Sequence, residues 1–215
     1  GVFCLLCPVI AENGAMIIGS LAIVLLAAYI CYIVHAVVVY SMAVKTMGGL
    51  SPLQFFKGML PAIMFAFSSA SSVGTLPINL ECVEKLGSDR EIASFVLPLG
   101  ATINMDGTAI YQGVCAIFIA SCYGINLTLS QMLTVILTAT LASIGTAGVP
   151  GAGMVMLAMV LTSVGLPVDG IALVAGVDRI FDMGRTTVNI TGDASCSIIV
   201  SNLEKRREAK LAKKL

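Results

Sequence analysis

Long apolar runs, divided by short polar interruptions, give this chain five segments. Residues 15–47 carry no charge before Lys45 and predict a helix of about 45 Å, enough to cross the roughly 30 Å bilayer core with tilt. Residues 51–87 and 130–166 are broken in the middle by serine, threonine, glycine and proline. A helix follows each, 90–123 and 168–202, with polar side chains at membrane depth. The pattern therefore repeats one design twice.

The two broken segments predict re-entrant helical hairpins. Packing between membrane helices explains small residues, but it does not explain Pro77, Pro150 or the intramembrane Asp106. Non-helical backbone at this depth is tolerated only where it is buried or lines a watery cavity. Repeated, interrupted segments are typical of a transporter binding site. We expect an all-α membrane protein of transmembrane helices and two such hairpins.

Composition and charge support a multi-pass membrane protein. The chain is 58% hydrophobic and 11% charged, whereas soluble domains are about 25% charged. Basic residues crowd the end, which predicts a cytoplasmic tail over 203–215 by the positive-inside rule. Nucleic-acid binding is the rival interpretation of such a tail, but its place beside a membrane helix favours orientation. The cations are Lys205, Arg206, Arg207, Lys210, Lys213 and Lys214.

The remaining reactive residues predict packing rather than catalysis. The seven cysteines lie mostly in apolar segments and are expected to be reduced. Cys4 and Cys7 have metal-like spacing without further ligands. His35 is expected to be a hydrogen-bonded interior residue. Residues 1–14 are interpreted as the end of a scaffold helix, in a piece of a longer protein whose early helices are missing.

One helix face carries the densest polar chemistry of the chain. At about 100° per residue, five hydrophilic side chains fall within roughly 80° of arc. A buried charge in a membrane helix is costly, which makes such a stripe a candidate functional site. An i,i+3 ion pair of purely structural role is the alternative for two of its members. The stripe is Asp178, Asp182, Arg185, Asn189 and Asp193.

The groups of this stripe suit an acidic amino acid. Arg185 offers a planar fork of donors for a carboxylate, and Asp182 can receive an ammonium. Short hairpin helices expose unpaired N–H groups that suit an anion, and Ser71 and Ser72 add hydroxyl donors. In 104–108, a glycine allows an unwound turn beside amide and carboxylate oxygens, which suits Na⁺. A protonated aspartate is the alternative there.

Four sequence stretches resemble the glutamate transporter family, the dicarboxylate/amino acid:cation symporters. They are SSVGTLP at 71–77, LPLGATINMDGT at 97–108, ASIGTAGVPGAG at 142–153 and DMGRTTVNITGD at 182–193. The resemblance is to the C-terminal transport-domain portion of a bacterial-type member. It implies oppositely oriented hairpins packed with helices 90–123 and 168–202 in a mobile transport domain over 15–202, as the inverted-repeat core of an elevator transporter.

The resemblance also implies the site residues. Together with Ser71, substrate contacts fall on Ser72, Thr108, Val149, Gly153, Asp182, Arg185, Thr186 and Asn189. One cation site would use backbone oxygens of Gly100, Asn104 and Asn189 with the carboxylate of Asp193. A second would use carbonyls of Thr102, Ser143, Ile144 and Thr146. A third would use Asn104 and Asp106, with hydroxyl ligands from an earlier helix that this chain lacks.

Members of the resembled family often carry a further arginine, either near the first hairpin tip or one turn before the arginine that corresponds to Arg185. This chain has Ala70 and Met183 at those positions. Arg179 lies one turn earlier, and its pairing with Asp178 is a hypothesis.

We therefore expect a secondary active symporter rather than an enzyme, without a cofactor, coupling uptake of glutamate or aspartate to Na⁺ or H⁺. A homotrimer in the plasma (inner) membrane is expected. A C4-dicarboxylate carrier would not need Asp182, and a neutral amino acid carrier would not need Arg185. An anion channel and an intramembrane aspartyl protease are remoter alternatives; the protease leaves the hairpins and Arg185 unexplained.

Overall fold

The computed structural model describes residues 16–212, with side chains from Gly19 onward. All regular secondary structure in this range is helical, as expected, while the predicted scaffold segment 1–14 and the Cys4, Cys7 pair lie outside the described residues. The helices are α1 (Met16–His35), α2 (Pro52–Ser69), α3 (Ser72–Lys85), α4 (Arg90–Ile103), α5 (Asp106–Cys122), α6 (Leu129–Ile144), α7 (Ala152–Ser163), α8 (Ile171–Ala175) and α9 (Asp178–Ala212).

The first predicted helix does not stop at α1. It continues through two π-helical turns, Ala36–Tyr40 and Val44–Gly48, joined by a single α-helical turn. It ends at Gly49, whose φ of 72° is left-handed, a conformation that glycine adopts without steric cost. From Met16 onward the helix thus follows the predicted range, with its last turns widened.

Segment 51–87 is a pair of contacting helices, α2 and α3. Ser51 begins α2 by accepting a hydrogen bond from Gln54 N–H at 3.2 Å, with proline at the first helical position, as such a cap favours. The helix ends at Ala70, whose φ is 53°. Ser71 then caps α3 by accepting from Gly74 N–H at 3.0 Å. The predicted interruption is therefore a tight turn between two capped helices.

Segment 130–166 has the same design in α6 and α7, which also contact each other. A capping box begins α6: Thr128 accepts from Gln131 N–H, and the Gln131 side chain accepts from Thr128 N–H, an arrangement that satisfies two free donors. The connection runs from Gly145 to Gly151, where φ is 82°. Both broken segments thus place an irregular turn between two short helices.

The predicted break in 90–123 falls at Asn104 and Met105, between α4 and α5. Gly107, the second residue of α5, lies directly against α9. A Cβ atom built there would come within 2.4 Å of the Arg185 carbonyl oxygen. Only glycine permits this approach of two backbones, and the unwound segment is thereby held against the polar helix.

The predicted helix 168–202 is wrong at both ends. Residues 168–175 form a 3₁₀ turn and the short α8, and α9 begins only at Asp178. Its other end reaches Ala212, inside the predicted tail. The extension consists of strong helix formers such as lysine, arginine, glutamate, leucine and alanine, so basic charge did not prevent helix formation.

The molecule exposes apolar side chains and buries polar ones. Ile23, Leu53 and Phe95 are 70–80% exposed, whereas the charged groups of the stripe are buried. By length and composition, Gly19–Gly48 and Arg90–Cys122 can each cross a membrane. The helix α9 contacts each of α1 to α5. The polar stripe therefore runs through the centre of an apolar bundle.

Candidate functional site

The five stripe residues all lie on α9 and are all buried. The helix forms despite its polar content because its charged side chains find partners within the bundle. Asp182, Arg185 and Asp193 are only 1–3% exposed. Charges buried to this extent need compensation from partners or bound ions. The contacts of each group therefore show what the site can bind.

Asp182 and Arg185 form a direct ion pair. Arg185 Nε donates to Asp182 Oδ1 at 2.8 Å, and the Thr186 hydroxyl donates to the same oxygen at 3.4 Å. The other oxygen of Asp182 accepts from Gly151 N–H at 2.8 Å. The carboxylate thus joins α9 to the turn of the second broken segment.

Asp178 and Tyr111 complete the surroundings of Arg185. Asp178 Oδ1 lies 3.6 Å from Arg185 Nη1, and the guanidinium carbon lies 4.7 Å from the centre of the Tyr111 ring. Such a cation over an aromatic face is an attractive contact. Arg185 Nη1 itself donates no hydrogen bond to the described residues, so this donor is free for a ligand. The hypothesis that Asp178 pairs with Arg179 is wrong, because Asp178 faces Arg185.

A small cavity lies among the residues expected to contact substrate. It is lined by eight of the nine: Ser72, Thr108, Val149, Gly153, Asp182, Arg185, Thr186 and Asn189. The ninth, Ser71, is not among the lining residues; its hydroxyl donates to the Gly148 carbonyl at 3.4 Å. Four further residues line the cavity. The sequence had assigned Thr146 only to a cation site, and it had not pointed to Met105, Ala147 or Gly148. All four lie within the family-like stretches 97–108 and 142–153, and this was the available sequence signal for them.

The cavity is tight in this arrangement. Its volume is about 10 Å³, which is space for about one water molecule. Gly153 is pressed against the arginine, since a Cβ atom built there would lie 2.2 Å from Arg185 Nη1. An amino acid needs more room than this. Its entry therefore requires movement of Arg185 or of the connection from Gly145 to Gly151, which we call the second turn.

Asp193 and Asn104 meet at the other end of the stripe. Asn104 Nδ2 donates to Asp193 Oδ1 at 3.0 Å and to the Asn189 carbonyl at 3.2 Å. Asp193 also lies against Gly100, where a built Cβ atom would be 2.4 Å from Oδ1. Its second oxygen, Oδ2, is buried and accepts no hydrogen bond from the described residues. A buried, unpaired carboxylate oxygen beside carbonyl groups fits a hard cation.

Asp106 is engaged by the first helix. Its Oδ2 bonds to His35 Nε2 at 2.8 Å and accepts from the Tyr40 hydroxyl, which also contacts the Val188 carbonyl at 3.1 Å. His35 is thus hydrogen-bonded, as expected. Asn104 and Asp106 also line a groove of about 740 Å³ between α1, α5 and α6.

The residues of the second implied cation site lie at helix ends. Thr102 belongs to the last turn of α4, Ser143 and Ile144 end α6, and Thr146 follows them. The Ser143 carbonyl accepts from Thr146 N–H at 3.0 Å. A Cβ atom built on Gly148 would lie 2.8 Å from the Ala101 carbonyl. The C-terminal end of α4 therefore lies close to the second turn, which follows the C-terminal end of α6. The last carbonyls of a helix have no partner within that helix.

Comparison with known proteins matches this arrangement to one family. The model of the sodium:dicarboxylate symporter family matches residues 1–203. The chain belongs to this family. Excitatory amino acid transporter 2 of Mus musculus is 42% identical over 208 residues, covering 95% of this chain and 36% of the relative. The excitatory amino acid transporter of Caenorhabditis elegans is 43% identical over 212 residues, covering 95% and 41%.

A third relative gives the same picture. Excitatory amino acid transporter 1 of Rattus norvegicus is 44% identical over 195 residues, covering 90% of this chain and 36% of the relative. The matched part thus spans 36–41% of the length of these three proteins. The family consists of membrane transporters rather than enzymes and is named for sodium. The aspartyl protease alternative is therefore set aside.

Proposed function

We propose that the full-length protein takes up glutamate or aspartate together with Na⁺. The chain supplies the part that binds both, and the transport cycle alternates access to this part from the two sides of the membrane. The family membership and the names of the relatives support this proposal, and the buried stripe supplies the chemistry.

The observation that carries the proposal is the pairing of Asp182 and Arg185 in one cavity. An acidic amino acid has an ammonium, an α-carboxylate and a second carboxylate. Asp182 would receive the ammonium, and Arg185 would bind the second carboxylate with a two-pronged hydrogen bond. The α-carboxylate would meet the beginning of α3 at Ser72, where helix N–H groups attract an anion. Each substrate group then has one complementary protein group.

The two rival substrates leave one of these groups without a partner. A C4-dicarboxylate has no ammonium for Asp182, and a neutral amino acid has no second carboxylate for Arg185. Asp182 and Arg185 already pair with each other, so either rival would engage one member of the pair and leave the other with no group of the substrate. The presence of both residues, 3% and 2% exposed, therefore favours the acidic amino acid over either rival.

Na⁺ would couple to substrate through the shared helix α9. Asp193 and Asn104 would hold one cation with the Gly100 and Asn189 carbonyls, and Asn189 also lines the substrate cavity. Further cations would bind at the helix ends around Thr102 and Ser143, and at Asn104 and Asp106. Because the cation and substrate groups share residues of one helix, binding of either prepares the other's site.

The proposed transport cycle assigns a role to each hairpin. We take α2–α3 and α6–α7 as re-entrant hairpins of opposite orientation, and the second as the gate, since its Gly151 N–H holds Asp182 and its Gly153 lies against Arg185. The domain would move as a unit across the membrane. In the full-length protein, a homotrimeric scaffold in the plasma membrane and a cytoplasmic C-terminus complete the proposal.

The deciding experiment is uptake of labelled aspartate into vesicles that contain the full-length protein. Under an inward Na⁺ gradient, aspartate should accumulate above its external concentration, and glutamate should compete. An H⁺ gradient without Na⁺ tests the alternative coupling ion. Equilibration without accumulation would indicate a channel, and uptake of succinate or alanine in preference to aspartate would contradict the substrate assignment.

A further inference from the structure

Arg179 lies beside the polar stripe of α9, and its contact partner could not be identified from the sequence. It lies in the first turn of α9, next to Asp178, but it is not among the residues that line the substrate cavity. Its Nη2 donates to the Ser68 carbonyl at 3.2 Å and to the Ser69 carbonyl at 3.0 Å. Both acceptors belong to the last turn of α2, about 110 positions earlier in the chain.

The local position of Arg179 is unfavourable within its own helix. The start of an α-helix carries a partial positive charge, which disfavours a cation there by a few tenths of a kcal/mol to about 1 kcal/mol. The end of α2 carries the opposite partial charge and several unpaired carbonyls. The Arg179 guanidinium is therefore stabilised by the C-terminal carbonyls of α2 and not by its own helix α9. A residue that breaks a local rule in this way often serves a tertiary contact.

The turn that Arg179 contacts is the one that presents the first hairpin to the cavity. Directly after the two carbonyls comes Ala70, whose left-handed φ of 53° is disfavoured for an L-residue. Ser71 and Ser72 follow, and Ser72 lines the cavity. Val73 N–H donates to the Gly148 carbonyl of the other turn at 3.3 Å. The geometry of this tip thus decides where α3 begins.

We infer that Arg179 is a positioning residue that fixes the tip of the first hairpin for substrate binding. Its two hydrogen bonds hold the end of α2 against α9, and the strained Ala70 then sets the start of α3 beside the cavity. Asp178, one residue earlier, contacts Arg185. The first turn of α9 therefore links the hairpin tip and the substrate arginine. The substrate part of this inference rests on the proposed function.

The test compares R179M and R179K with the wild type in the full-length protein. Hydrogen–deuterium exchange of peptides covering residues 66–76 reports the tip directly, without transport. We expect R179M to accelerate exchange there by about tenfold, since it removes two hydrogen bonds from a charged donor. R179K, which keeps the charge but loses the planar fork, should be intermediate and serves if R179M fails to fold.

The second measurement is the KM for labelled aspartate. A mispositioned tip weakens binding, so R179M should raise KM about fivefold and change the turnover rate less than twofold. The matched control is R90M, which removes an exposed arginine whose partner is Glu84, at 3.5 Å, and which touches no tip residue. It should leave both measurements at wild-type values.

The outcomes separate the inference from the proposed function. Exchange at 66–76 that stays at the wild-type rate in R179M overturns the inference. Faster exchange with an unchanged KM overturns the role in substrate binding. A wild-type protein that does not accumulate aspartate removes the proposed function instead, and the exchange measurement still decides whether Arg179 fixes the tip.

Discussion

At Arg185, one buried guanidinium meets a carboxylate on either side and an aromatic ring. Asp182 accepts its Nε at 2.8 Å, Asp178 lies 3.6 Å from Nη1, and Tyr111 lies beneath the cation. These contacts offset the cost of burying the charge. Within the described part of the chain they leave Nη1 without a hydrogen bond, and this donor gives Arg185 its proposed role at a substrate carboxylate.

Replacing this residue should change substrate selection. In R185C the two-pronged bond to the second carboxylate is lost, at a cost of about 3 kcal/mol, which corresponds to more than a hundredfold in affinity. Binding of aspartate should fall by this factor, while a small neutral amino acid such as serine is retained. Equilibrium binding to the purified full-length protein measures both. The control is R90C; aspartate affinity unchanged in R185C would contradict the assignment.

Asp193 should govern the cation rather than the substrate. D193N removes the negative charge from a buried site, so a cation there loses its main compensation. We expect the Na⁺ concentration for half-maximal aspartate uptake to rise by about tenfold or more. A Na⁺ titration of uptake measures it, with D169N as control because Asp169 is exposed. An unaltered Na⁺ curve in D193N would argue against this site.

At the scale of elements, close contacts between irregular segments and α9 build the site. The start of α5, directly after the unwound connection, meets α9 at Gly107, and the second turn reaches α9 through the hydrogen bond between Gly151 and Asp182. The contact at Gly107 brings two backbones together without a side chain between them, whereas the contact at Gly151 is a hydrogen bond from a backbone N–H to the Asp182 side chain. The elements are therefore positioned by glycine as much as by hydrophobic packing.

Two glycines of α5 offer a matched test of this idea. G107A would place a methyl group 2.4 Å from the Arg185 carbonyl and must displace α5 from α9, so we expect aspartate affinity to fall at least tenfold. G113A adds the same methyl group where nothing lies within 4 Å. It should leave affinity unchanged and raise the melting temperature slightly, because alanine favours the helix over glycine. Equal behaviour of the two variants would refute the close-contact explanation.

At the scale of the whole molecule, the site joins both sequence repeats. Its lining comes from α3 and α5 in the first repeat, and from the second turn, α7 and α9 in the second. A ligand that binds there connects distant parts of the chain and stabilises the folded state by about 2.7 kcal/mol at a hundred times its dissociation constant.

Substrate and Na⁺ should therefore stabilise the protein jointly. We expect aspartate to raise the melting temperature of the detergent-purified full-length protein in NaCl by several degrees. In choline chloride of equal ionic strength the same aspartate should have little effect, because the cation site is then unfilled. Thermal denaturation followed by intrinsic fluorescence measures the shift. An equal shift in both salts would contradict coupling through α9.

The sequence determined much of this protein because local patterns express local physics. Apolar runs, proline and glycine marked the helices and the turns of both broken segments, and helical periodicity placed Asp182, Arg185 and Asn189 on one face. The resemblance to a family then added Val149 and Gly153. In each case the deciding signal lies within a few residues or within a motif.

Only the tertiary structure decided which distant groups meet. The Arg179 side chain lies against carbonyls 110 positions away, Asp178 faces Arg185, and Tyr40 contacts Asp106. Periodicity fixes the face on which a side chain lies but not the element that packs against it. The extension of α9 to Ala212 was also missed. The basic residues of this segment predicted on which side of the membrane it lies, but they did not indicate whether it is helical. Partners depend on how the helices pack together, and that arrangement is a property of the folded bundle.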